Sequence, residues 1–186
     1  MDKTKINILN SVTKSYFQFQ RHFPDRKSAL FEDIKEVLNC TQEKAEKLAS
    51  THCNMVSFWA CNFASGFTNM PYKTYFRTML DKKFCNEKGR IIVGKDQVCK
   101  DIFGFNFNIE YVEEFEDILN PEIRMNKNCF YQMKMNADTE GDHFLSTYID
   151  DVFFGTDTSY RGTPFKLLNK INQSNFQWLL KIQKSS

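Results

Sequence analysis

The apolar residues of this chain change period about halfway along, and that change restricts it to a mixed architecture. In the first half they recur every three or four positions, as on one face of a helix. Ala29 to Leu38 places Phe31, Ile34, Val37 and Leu38 together. Thr41, followed by Glu43 and Lys44, reads as a cap that opens a helix through Leu48. Asn54 to Ala64 is the strongest helical run, and Gly66 suits its C-terminal cap. Pro71 suits a first helical position and opens "PYKTYFRTML". An earlier run, Ile6 to Phe19, also has helical spacing and ends before Pro24.

The second half alternates instead. "NFNIEYV", "NCFYQMKMN", "DHFLSTYIDD" and "VFFGTDTS" read as strands with turn residues between them. "GRIIVG" is a short strand or turn-bound run, and "KDQVCKDIFG" and "EEFEDIL" are short helices. "TPFKLLNKIN" has a helical spacing, and "FQWLLKI" fits a final strand or helix. Helices first and antiparallel strands second is the pattern of an α+β fold. With no internal repeat and no low-complexity linker, residues 1–186 read as one domain.

Charge and cysteine usage remove several function classes. The 25 basic and 23 acidic residues nearly cancel, and no Lys or Arg run makes a footprint for nucleic acid. No stretch has the roughly 18 apolar residues of a membrane span. The N-terminal "MDKTKINILNSVTKSYF" has neither the apolar core nor the cleavage site of a signal peptide, so a cytoplasmic location is expected. The six cysteines contain no Cys-x-x-Cys pair, which argues against zinc-ribbon and redox motifs. They are expected to be mostly buried free thiols. His52, Cys53, Cys61 and His143 are the residue types that ligate zinc. Cys53 and Cys61 lie two turns apart on one helix and no short paired motif supports them, so no metal is expected.

Three residues carry chemical interest. Cys53 stands in front of the strongest helix, where unpaired N–H groups and the positive end of the dipole favour the thiolate. A buried structural cysteine is the plain alternative. His143, at the start of a strand after a polar turn, has the titration range of a base for a thiol, or is a surface histidine at a strand edge. Asp157 ends the following strand. If the two strands pair as a hairpin, it becomes a neighbour of His143 and can orient the imidazole; otherwise it closes a turn.

"CNMVSFWACNFASG" resembles the active-site helix of papain-like cysteine peptidases, nearest the branch that processes bacteriocin leaders. Cys53, Asn54, Ser57 and Gly66 match that pattern. "DHFLSTYIDDVFFGTDTSYRG" is similar to the family's His-strand, turn, strand, Asp-Pro-Tyr-Gly segment, with Thr158 in place of Pro. "EEFEDILNPEIRMNKNCFYQMKM" resembles the helix and strand that lead into that His. The similarity runs from Thr51 to Gly162. It implies a papain-like fold, a helical N-terminal half packed on a C-terminal antiparallel sheet, with 41–186 as core and 1–40 as a helical extension.

It further implies Cys53 as nucleophile, His143 as general base and Asp157 as its orienter, without a cofactor. The substrate class that the resemblance implies is a peptide or isopeptide bond, a cell-wall peptide cross-link being one candidate. One departure stands out. The family's Gln before the Cys, an oxyanion donor, is replaced by Lys47; Gln42, Thr51 and His52 are the other polar groups upstream. A catalytically inactive papain-like domain that binds a protein or peptide is therefore the alternative, and a helical regulatory protein is the third.

Overall fold

The computed structural model describes residues 4, 7, 8, 11, 29–119, 129–137, 141–149, 153–156, 165–166 and 173–185. The helix expected from Ile6 to Phe19 lies almost wholly outside the described residues. Five helices follow: α1 (Ala29–Leu38), α2 (Gln42–Ala49), α3 (Cys53–Ala64), α4 (Tyr72–Asp81) and the short α5 (Lys95–Val98). α5 runs into one π turn, Cys99–Phe103, which Gly104 ends in the left-handed region at φ 78°. "GRIIVG" contributes a single bridge, between Cys85 and Ile91.

The caps explain where the helices stop and start. Thr41 Oγ1 accepts a hydrogen bond from the Lys44 N–H at 3.3 Å, satisfying an orphan donor of α2. At the end of α3, the N–H of Phe67 reaches Asn62 O at 3.0 Å, and that of Gly66 reaches Phe63 O at 3.1 Å. This paired closure needs a left-handed residue, which Gly66 supplies at φ 74°.

The strands are β1 (Phe107–Val112), β2 (Cys129–Ala137), β3 (Gly141–Ile149), β4 (Phe153–Thr156), β5 (Phe165–Lys166) and β6 (Phe176–Lys184). They form one antiparallel sheet in the order β1-β6-β2-β3-β4-β5. The chain is thus α+β, with its helices mostly in the first half. One finer expectation changes, and an open one is settled. Phe165 and Lys166, inside the expected helix "TPFKLLNKIN", pair with β4 as a strand. The final segment is a strand, and it inserts between β1 and β2, a long-range pairing that local periodicity does not encode.

The core is built around α3. Nine of its twelve residues are buried, as befits a helix that is apolar on nearly all sides. Phe58, Trp59 and Ala60 pack with Leu30 and Ile34 of α1, Tyr72, Tyr75, Phe76 and Met79 of α4, and Val98 of α5. Leu180 and Ile182 of β6 and Phe107 of β1 close this cluster from the sheet side. Adjacent strand residues point to opposite faces, so Leu179, Met133, Tyr131 and Val112 form a second, smaller cluster with Ile118. α3 lies against β2 and β3, which brings the helix opened by Cys53 onto the strand that carries His143.

Candidate functional site

Cys53 is the first residue of α3 and is half-exposed, whereas Cys61, Cys85, Cys99 and Cys129 are buried. All six cysteines are free thiols. The His52 carbonyl accepts the first bond of the helix, from Val56 N–H at 2.9 Å. The His52 side chain makes no cap hydrogen bond at this end. The thiol therefore sits beside the orphan donors of the first turn, where negative charge is favoured. Burial pushes the enclosed thiols of Cys85 and Cys99 up to about 12.

His52 precedes the thiol in sequence but belongs to the core. It is fully buried, with Nε2 2.9 Å from Glu87 O and Nδ1 2.8 Å from the Tyr72 hydroxyl. A carbonyl only accepts, so Nε2 carries the proton and Nδ1 accepts from Tyr72. Burial lowers its pKa from 6.5 to about 4, against the small opposing effect of the Glu87 hydrogen bond. The ring stands edge-on to Phe76 at 4.8 Å, and Gly89, at φ 71°, comes so close that a Cβ there would lie 2.9 Å from His52 Cγ. Both nitrogens are engaged, so His52 is not a base for Cys53.

The first turn of α3 is instead tied to the sheet by Gln132, fully buried in β2. Its Nε2 lies 3.1 Å from both Asn54 O and Asn54 Oδ1, and 2.5 Å from Ser57 Oγ. Ser57 Oγ in turn donates to Asn54 O at 3.2 Å. Gln132 Oε1 accepts from Lys95 Nζ, at the start of α5. An ammonium only donates and a carbonyl only accepts, so this arrangement fixes which end of the amide faces which partner.

Lys95 is half-buried, and its amine end lies within the fold, 4.8 Å from the centre of the Trp178 ring and 5.4 Å from that of Phe58. Burial draws its pKa down to about 7; Lys134 adds to this, and Cys61 and Cys99 oppose it. Sequence reading missed both residues. Gln132 sits in "CFYQMKM", where a polar residue passes for the solvent side of an alternating strand. The available signal was a glutamine amid apolar residues in a strand that must be covered.

The other polar groups upstream of Cys53 are turned elsewhere. Lys47 forms an exposed pair with Glu43 at 2.9 Å on the solvent face of α2. Gln42 Nε2 donates to Glu46 Oε1 at 3.0 Å. Thr51 Oγ1 is 2.7 Å from Lys88 O and 2.8 Å from Leu48 O. Gln132 does not replace the family's upstream Gln either, since its two N–H bonds are directed at Asn54 and Ser57.

His143 lies in β3, in register with Met135 of β2, while Gln132 is in register with Ser146. β3 and β4 do form the expected hairpin; Thr156, the last residue of β4, pairs with Ser146. Asp157 itself lies outside the described residues. Among the described residues no group of three His, Cys, Asp or Glu side chains has the arrangement of a metal site, and no helix is long and apolar enough to cross a membrane. The chain matches no protein-family model, and no curated protein matches its sequence.

Proposed function

We propose that this protein is a papain-like cysteine hydrolase of peptide or isopeptide bonds, with Cys53 as nucleophile, His143 as general base and Asp157 as its orienter. The observation that supports it is the seat of Cys53: a half-exposed thiol at the first position of the central helix, with that helix against β3. In this reading His143 takes the thiol proton and the thiolate attacks the amide carbonyl. The oxyanion is held by N–H groups of the first turn. Collapse breaks the C–N bond, His143 returns the proton to the leaving amine, and water hydrolyses the thioester. The substrate is a peptide, a protein or a cell-wall cross-link, and no cofactor takes part.

A second reading, a papain-like domain that binds a peptide without cleaving it, is favoured by Lys47, which stands where the family carries its Gln and pairs with Glu43 at the surface, 2.9 Å away. The two readings separate by incubation with peptide and cell-wall fragment libraries, followed by intact-protein mass measurement and product analysis. An acyl adduct on Cys53, with turnover abolished in Cys53→Ala, supports the hydrolase. Peptide binding with equal affinity in wild type and Cys53→Ala, without adduct or product, supports the binding domain. Turnover that survives Cys53→Ala refutes the thiol mechanism.

A further inference from the structure

The chain invests a buried glutamine and a deeply placed lysine in one short stretch of helix, and neither has a part in the triad. Three elements meet at the Gln132 amide. Its nitrogen reaches Asn54 O, Asn54 Oδ1 and Ser57 Oγ in α3, its oxygen accepts from Lys95 at the start of α5, and its backbone is in the middle of β2 between β3 and β6. Asn54 follows Cys53 directly. The N-cap residue His52 gives α3 no side-chain cap bond, so this amide is a fixed point for its first turn.

We propose that Gln132 and Lys95 are positioning residues for Cys53: the Lys95–Gln132–Asn54/Ser57 chain holds the first turn of α3 in register with the sheet and so sets the reactivity of the thiol. This rests on the reading of Cys53 as nucleophile. The physical reason is that a thiol gains from a helix end only while the first-turn N–H groups stay ordered and aimed at it, and terminal turns fray unless held. Lys95 acts through the amide rather than on the thiol. Its Nζ donates to the Gln132 oxygen, which leaves the amide nitrogen directed at α3. The aromatic rings of Phe58 and Trp178 hold the lysine stem in place.

The test uses Gln132→Leu, Lys95→Met and Lys95→Arg in the full chain. Two quantities are read: hydrogen-exchange rates in the peptide covering the first turn of α3, and the iodoacetamide rate at Cys53 relative to Cys40, the other half-exposed thiol. Loss of one hydrogen bond of ordinary worth corresponds to about three- to tenfold faster exchange. Gln132→Leu and Lys95→Met are therefore expected to raise first-turn exchange and to slow Cys53 labelling by about that factor, with Cys40 unmoved. Lys95→Arg, which still donates to the amide, is expected to restore both. Lys95→Met keeps an apolar stem between the two rings, so it remains informative where Gln132→Leu does not fold. Folded variants with wild-type exchange and labelling overturn the inference. Faster exchange in variants whose wild-type parent labels Cys53 no faster than Cys40 refutes the nucleophile, and leaves the pair a clamp without bearing on reactivity, which also overturns it.

Discussion

Lowering the pH from about 7 to about 5 is expected to destabilise the protein through His52 by about 2 kcal/mol. The ring is fully buried between Tyr72 and Glu87, and its pKa falls from 6.5 to about 4 on folding. A depressed histidine pKa means that the unfolded chain binds the proton more readily than the folded one. Stability is therefore complete above the unfolded value and is lost as pH falls between 6.5 and about 4. A full shift of this size is worth about 3.5 kcal/mol at about 1.4 kcal/mol per unit, and somewhat over half of that appears by about pH 5. The assay is urea unfolding at a series of pH values for wild type and His52→Gln. The wild-type stability is expected to fall with the steeper slope, and the difference between the two curves isolates His52 from carboxylates and the other histidines. Parallel curves over that window would refute a neutral, buried His52.

Two further outcomes follow from the same region. Gly89→Ala is expected to cost about 2 kcal/mol or more, because a left-handed φ of 71° is strained for alanine and its Cβ would meet the His52 ring; differential scanning calorimetry measures it. Cys85 and Cys99, with thiols pushed up to about 12 by burial, are expected to resist alkylation in the native protein and to label only after unfolding, as mass mapping would show.

Much of the helical half was legible because its signals are local. The spacing of Phe31, Ile34, Val37 and Leu38 gives α1, Thr41 caps α2, and Gly66 ends α3 through a left-handed turn. The position of Cys53 at the head of the central helix was legible for the same reason. What depends on distant pairing was not. β6 slots between β1 and β2, and Phe165 and Lys166 join a strand although their neighbourhood has helical spacing, because hydrogen bonding to β4 outweighs a weak intrinsic preference. Alternation alone does not mark Gln132, which points at Asn54 and Ser57 because both faces of the central strands are covered. His52 stood beside the thiol in sequence. The helix start turns it into the core, where Tyr72 and Glu87 take both its nitrogens.

The most direct measurement of the central proposal is the alkylation rate of Cys53 across pH, in wild type and in His143→Ala, with Cys40 as internal reference. The thiolate is the form that reacts, so a base that takes the thiol proton raises the labelling rate. At about pH 6 Cys53 is expected to react at least about tenfold faster than Cys40, part of the thiolate gain being offset by lower intrinsic nucleophilicity, and His143→Ala is expected to remove most of the difference. A Cys53 that tracks Cys40 at every pH, unchanged by His143→Ala, would contradict the cysteine hydrolase.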